Sequence, residues 1–222
     1  MPDTPAAIAA SSGQVLTWSQ LDMRSTQLAR LCRGLGLQRG DHIAVFMENN
    51  LAYFEVMWAA LRSGLYLTTV NRYLTTEEAG YILKDCEARV LVTSKTLTDV
   101  AMGLNKHAPK IERWLMVGEE PCEGYENYDQ ALASQLTEPL DDEIAGGMML
   151  YSSGTTGRPK GAVHTHVGFP VKAAQDMAHP MDVQPGDVMW WMTDMGWMMG
   201  PWLVFGSLMC GATMVLFDGA PD

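Results

Sequence analysis

The chain has few basic residues. Across its 222 positions, 15 Lys and Arg stand against 26 Asp and Glu, a formal net charge of −11. Nucleic-acid binding draws on a basic face that neutralises phosphates, so this balance argues against a general nucleic-acid partner. Cysteine is also scarce: Cys32, Cys86, Cys122 and Cys210 lie far apart, with no Cys-x-x-Cys pair. That spacing suggests neither a zinc site nor a disulfide framework, and leaves free thiols, buried or half-buried, in a reducing, cytoplasmic compartment. The first residues lack a basic stretch followed by an apolar core, so no secretory signal is read. Residues 195–217 carry no charge and are long enough to span a bilayer. Pro201, Gly206 and Gly211 interrupt them, however, and a buried helix followed by a buried strand is the better reading.

Two phosphate-binding patterns are absent. Counted from Gly154, the Walker pattern would need Gly where Pro159 stands, and Ser or Thr where Gly161 stands. No Gly-x-Gly-x-x-Gly occurs either, since Gly34-Leu35-Gly36 runs on to Arg39. The main sequence argument for a Rossmann dinucleotide site is therefore missing.

What the chain does contain is Tyr151-Ser152-Ser153-Gly154-Thr155-Thr156-Gly157-Arg158-Pro159-Lys160-Gly161. Glycines let the backbone fold tightly and bring its N–H groups close to a ligand. Four hydroxyls add donors, and Lys160 adds a mobile positive charge. This is the chemistry of a loop that cradles phosphates. A flexible linker is also rich in Gly and Ser, but this stretch follows the apolar run Met148-Met149-Leu150 and ends in Pro-Lys-Gly.

The rest of the chain alternates helix and strand patterns. A helix is expected after Thr17, with Leu21, Leu28, Leu31 and Leu35 on one face and a capping box from Ser19 and Asp22. A strand follows at residues 43–47. A second helix, capped by Asn49 or Asn50, carries Phe54, Met57, Trp58 and Leu61. A short strand at residues 66–70 precedes a helix opened by a Thr75–Glu78 capping box. Strands are read at 90–93 and 114–117, with a helix across 96–105 between them. The acidic stretch 118–142 reads as a loop-rich connection with one short helix near 128–136. Beyond the strand at 148–151, residues 163–177 pattern as a helix disturbed by Gly168 and Pro170, and residues 187–193 as a strand. Strands alternating with helices imply an α/β fold with layered mixed, largely parallel sheets and flanking helices.

The stretch from Ser152 to Gly161 resembles the signature of the adenylate-forming superfamily: a hydroxyl pair, Gly, two hydroxyls, Gly, any residue, Pro, Lys, Gly. Trp18-Ser19-Gln20-Leu21, Gly40-Asp41-His42-Ile43-Ala44 and Val70-Asn71-Arg72 are similar to further landmarks of that family, in the same order. Thr193-Asp194-Met195-Gly196-Trp197 resembles a Thr-Asp-x-Gly-Trp segment of acetyl- and related acyl-CoA synthetases and points to the CoA ligase branch.

The resemblance implies an acid–thiol ligase, an AMP-forming acyl-CoA synthetase using ATP, Mg²⁺ and CoA. A carboxylic acid, expected to be a fatty acid, attacks the α-phosphate to give an acyl-adenylate and pyrophosphate, and the CoA thiol then attacks the acyl carbonyl. Ser152, Ser153, Gly154, Thr155, Thr156 and Gly157 would line the phosphates, with Lys160 neutralising charge or tying the loop down. Trp197 would stand beside the acyl pocket or pack in the core. The principal catalytic lysine belongs to a C-terminal domain that this sequence is expected to lack. Residues 1–142 are read as an N-terminal α/β subdomain and 143–222 as the start of a second one carrying the loop. An incomplete pocket and an exposed apolar face are expected. His164 and His166 have no partner at metal spacing, so no metal ligand is assigned. The rival reading is a non-catalytic nucleotide-binding or assembly module that works with a partner chain.

Overall fold

The computed structural model describes residues 2–152, 159–165 and 168–218. The chain begins with two short strands not foreseen from the sequence, β1 (Pro5–Ala9) and β2 (Val15–Thr17), and then enters helix α1 (Trp18–Gly34). The cap of α1 lies two residues earlier than expected. The Thr17 hydroxyl accepts the Gln20 N–H at 3.2 Å, and the Gln20 side chain accepts the Thr17 N–H at 2.9 Å. Thr17 has extended backbone, which leaves its hydroxyl free to face the first turn. Asp22, the other half of the expected box, instead takes Arg62 in an ion pair of 2.5 Å.

Strand β3 (His42–Phe46), helix α2 (Ala52–Arg62), strand β4 (Tyr66–Thr69), helix α3 (Thr76–Asp85) and strand β5 (Val90–Ser94) then follow the expected alternation. The Thr75–Glu78 capping box is present in both directions. The helix expected over 96–105 is broken into a 3-10 turn (Lys95–Leu97), a short α4 (Thr98–Ala101) and a second 3-10 turn (Leu104–Lys106), with Gly103 just before the last. Glycine weakens a helix interior by roughly 1 kcal/mol relative to alanine, and the segment is too short to absorb that. Strands β6 (Arg113–Val117) and β7 (Glu126–Asn127) and helix α5 (Tyr128–Ala133) complete this part.

Strand β8 (Gly147–Ser152) pairs with β9 (Lys160–His164), so the start of the expected 163–177 helix is strand. Helix α6 (Phe169–Ala178) begins later, with Pro170 in its first turn, where a missing N–H costs nothing. The chain ends through β10 (Val188–Trp190), α7 (Met199–Met209) and β11 (Thr213–Leu216), the helix and strand expected from the uncharged stretch. Among the described residues, no helix is long and apolar enough to cross a membrane.

The strands form a seven-stranded sheet, β7-β6-β5-β3-β4-β8-β9, and a four-stranded sheet, β10-β11-β1-β2. All pairs are parallel except β8–β9 and β1–β2. Each sheet takes strands from both sides of residue 142. Alternate residues of the larger sheet enter different cores, as the strand period of two requires. Ile43, Val45, Met47, Val90, Val92 and Leu115 pack with α1, α2 and α5, whereas Ala44, Phe46 and Leu91 pack with Ala79, Ile82 and Leu83 of α3. The first core continues to Ala6, Ala7, Met214 and Leu216 of the smaller sheet, so the two sheets share it. All four cysteines are free, Cys32 and Cys86 buried and the other two half-buried.

Candidate functional site at the carboxyl ends of the strands

In open α/β sheets, ligands bind outside the carboxyl ends of parallel strands, where loops diverge. Here the carboxyl ends of strands from both sheets meet around one cavity of about 330 Å³. Asn49 follows β3, Arg72 and Tyr73 follow β4, Met192, Thr193 and Asp194 follow β10, and Phe217 follows β11; Trp190 closes the ring. The walls are mainly apolar, with the polar groups of Asn49, Arg72 and Asp194 among them.

The turn at residues 193–197 is tightly held. The Asp194 carboxylate pairs with the Arg72 guanidinium at 2.9 Å, both side chains nearly buried. The contact meets the distance for an ion pair, yet neither atom in it has an aligned hydrogen bond among the described residues. The other oxygen of Asp194 accepts the Gly196 N–H at 2.9 Å. Burial pushes the Asp194 carboxyl above the usual aspartate range; the Gly196 N–H and Arg72 oppose the shift, and Glu48 adds to it. A low-dielectric surrounding penalises the charged form, and one donor plus one cation do not fully offset it.

Gly196 explains itself sterically. A Cβ there would lie 2.8 Å from the Asn71 Cα and 2.9 Å from the Val70 carbonyl oxygen, so only glycine lets this turn approach the end of β4 so closely. The Thr-Asp-x-Gly-Trp pattern thus has a local physical basis: Asp for the turn and Arg72, Gly for the approach.

Asn49 was expected only as a possible helix cap, and its tertiary role was missed. Asn50 serves the helix instead, its side-chain oxygen accepting the Ala52 N–H at 2.9 Å. The Asn49 side chain, 6% exposed, reaches across the site. It accepts the Met195 N–H at 2.9 Å and donates to the carbonyls of Thr193 at 3.1 Å and Phe217 at 3.0 Å. Nearby, the Ser94 hydroxyl at the end of β5 donates to Glu48. The Tyr53 hydroxyl is buried with no hydrogen-bond partner among the described residues, and burial, then Asp194 and Glu48, push it well above the ordinary tyrosine range.

Of the residues singled out from the sequence, Ser152 and Lys160 are brought together as register partners on the antiparallel β8–β9 pair, both exposed. Directly opposed residues share a face of the sheet. Strand β8 runs parallel to β4, so Ser152 leaves the sheet at the same carboxyl edge as Arg72. Below it, the Tyr151 hydroxyl donates to Asp85 at 2.7 Å and stiffens the end of β8 against α3. Ser153, Gly154, Thr155, Thr156 and Gly157 lie outside the described residues, as does His166. Trp197 is 54% exposed and does not line the cavity, so it is not a core residue here. Met195 is fully buried, while Met198 is exposed. His164 packs its ring against Phe169, at 5.3 Å between centroids. Among the described residues, no cluster of three or more His, Cys, Asp or Glu is placed to hold a metal.

Comparison with known proteins places this geometry. The AMP-binding enzyme family matches residues 1–222. The acetyl-coenzyme A synthetase of Gemmatimonas aurantiaca is 32% identical, over 87% of this chain and 34% of its own length. That of Methanothrix thermoacetophila is also 32% identical, over 94% of this chain and 35% of its own. Among solved structures, acetoacetyl-CoA synthetase from Streptomyces lividans superposes with a TM-score of 0.90 at 27% identity, covering 100% of this chain and 37% of that one. The anthranilate CoA ligase AuaEII, solved in complex with anthranoyl-AMP, gives a TM-score of 0.88 at 25% identity, covering 99% and 43%. The chain spans about a third of the length of the curated relatives it matches. With the family match along its full length and this agreement in fold, the chain belongs to the AMP-binding enzyme family.

Proposed function

We propose that the chain is the N-terminal part of an ATP-dependent, AMP-forming acyl-CoA synthetase. It activates a carboxylic acid as its acyl-adenylate and passes the acyl group to CoA. The observation that carries this reading is the β8–β9 pair. Only seven residues separate the register partners Ser152 and Lys160, and they include Ser153, Gly154, Thr155, Thr156 and Gly157. A stretch so rich in glycine and hydroxyls, leaving a parallel strand at the carboxyl edge of the sheet, is suited to receive polyphosphate. In this role Ser152 and the residues after it donate to the β- and γ-phosphates of ATP, and Lys160 supplies positive charge. Positioning and charge stabilisation are what such chemistry asks of the protein.

Mg²⁺ would arrive on the phosphates of ATP. The described residues offer no carboxylate cluster for it. Trp197, exposed beside the Asp194 turn, is assigned to the acyl side of the site. A fatty acid is the proposed substrate, supported by the apolar walls of the cavity; acetate and aryl acids are the alternatives suggested by the relatives. A cytoplasmic location belongs to the same proposal.

The test is ATP-dependent pyrophosphate release by the whole polypeptide that carries this segment, across acetate, medium-chain, long-chain and aryl acids. Acid-dependent release that falls at least about 100-fold in Thr156→Ala supports the reading, a loss of the size seen when one oxyanion-type donor is removed. The 222 residues alone are expected to form no acyl-CoA. A folded protein that binds ATP yet releases no pyrophosphate with any acid would replace this reading with the non-catalytic module.

A further inference from the structure

We infer that Asn49 is a positioning residue, whose side chain fixes the turn at residues 193–197 to the carboxyl ends of β3 and β11 and so sets how the acid is presented. The inference rests on the proposed synthetase reading for its catalytic consequence and on the hydrogen bonds alone for its structural one.

A side-chain amide has one oxygen and two N–H groups, and Asn49 directs all of its donors and its acceptor at backbone groups far away in the sequence. The oxygen takes the Met195 N–H, and the NH₂ group reaches the carbonyls of Thr193 and Phe217. The amide orientation follows from these partners. Reversed, it would set NH₂ against an N–H and its oxygen against two carbonyls. Met195 and Asn49 are both buried, so water is a poor substitute for these bonds.

The held segment carries chemistry on either side of Met195. Asp194 turns to Arg72, and the Trp197 N–H returns to the Asp194 carbonyl at 3.1 Å. The same amide fixes Phe217, another wall of the cavity, so one side chain sets two walls at once. Helix α2 does not need Asn49, since its first N–H, that of Ala52, goes to the Asn50 side chain. Asparagine at this position is therefore explained by the turn and the cavity, and an ordinary helix-capping role leaves its three bonds unaccounted for.

The experiment compares wild type, Asn49→Asp and Tyr128→Phe in the whole polypeptide. Aspartate keeps the shape but sets an oxygen against the two carbonyls. Tyr128→Phe removes a buried hydrogen bond to Glu55 in another part of the core and controls for general loss of stability. Hydrogen exchange is read by mass spectrometry over residues 191–198, and steady-state pyrophosphate release is measured against both acid and ATP. In Asn49→Asp, exchange of this segment should quicken by about tenfold or more while β5 stays protected. The KM for the acid should rise, with a 10- to 100-fold loss of kcat/KM for the acid, roughly the effect of a displacement near 1 Å, and an unchanged KM for ATP. Unchanged exchange at 191–198, or equal change in Tyr128→Phe, would overturn the inference. So would faster exchange with an unaltered acid KM in an active enzyme. If the wild type releases no pyrophosphate with any acid, the synthetase reading fails, and the exchange comparison alone decides the role of Asn49.

Discussion

Strands β5 and β10 sit in different sheets and meet water differently. Every residue of β5, from Val90 to Ser94, is buried, because β3 and β6 flank it and helices cover both faces. Among the described residues strand β10 is an edge, paired only with β11, and Val188 and Trp190 are 63% and 55% exposed. Position in the sheet, rather than apolar content, separates them. The contrast extends to the regions around them. Trp190, Trp191, Met192, Trp197 and Met198 form an exposed apolar stretch next to the cavity, whereas the exposed large apolar residues before residue 150 are scattered. Contiguous apolar surface marks a place where something else packs, while isolated exposed residues need no explanation. The centre of the seven-stranded sheet is thus covered on both faces, and the β10 margin is exposed.

The sharpest way to break this comparison is a charge in β5. Val92→Asp sets a carboxylate among fully buried neighbours and should cost at least about 4 kcal/mol in urea unfolding, or abolish folding. A tolerated substitution would show that β5 is not the sealed centre described.

Next in size is the buried pair between α1 and α2. Arg24 meets Glu55 at 2.6 Å, and the Tyr128 hydroxyl donates to the other oxygen of Glu55 at 2.9 Å. Burial is the largest influence on Glu55 and raises its carboxyl above the ordinary glutamate range, with Arg24 opposing the shift. Arg24→Met leaves that charge uncompensated and should cost about 3 kcal/mol near neutral pH. The sign with pH follows from the raised value. The contribution of Glu55 to stability is full below the ordinary glutamate range and is lost as pH rises through the raised one. The deficit of Arg24→Met should therefore shrink as pH falls, and urea midpoints across pH 4–8 check it. A deficit that grows in acid would contradict the assignment.

The smallest effect is expected at the sheet margin. Val188→Thr, on the exposed face of β10, should change stability by less than about 0.5 kcal/mol in the same assay applied to the 222-residue chain. A loss comparable to that in β5 would mean β10 is buried in solution and would remove the contrast.

The agreement and disagreement with expectation follow the range of each interaction. The Thr75–Glu78 box was legible because both partners lie within one turn. The α1 cap was misplaced by two residues because Thr17–Gln20 and Ser19–Asp22 both satisfy the local spacing, and Arg62, forty residues away, claims Asp22. Lys160 and Gly161 read as loop and residues 163–164 as the start of a helix, yet β8 offers residues 160–164 a ladder, and pairing overrides propensity. Strands β1 and β2 escaped notice because β1 takes its parallel partner from β11, some two hundred residues on.

The candidate site divides the same way. Sequence alone determined the glycine–hydroxyl stretch from Ser152 to Lys160, the Thr-Asp-x-Gly-Trp turn and the α/β alternation, because each is written in residues close together along the chain. Tertiary structure decided that Asn49 bonds Thr193, Met195 and Phe217 instead of capping a helix, that Arg72 faces Asp194, and that Trp197 lies outside the core. These arrangements join segments more than a hundred residues apart. Only the meeting of the two sheets at their carboxyl ends brings those segments within the reach of a hydrogen bond.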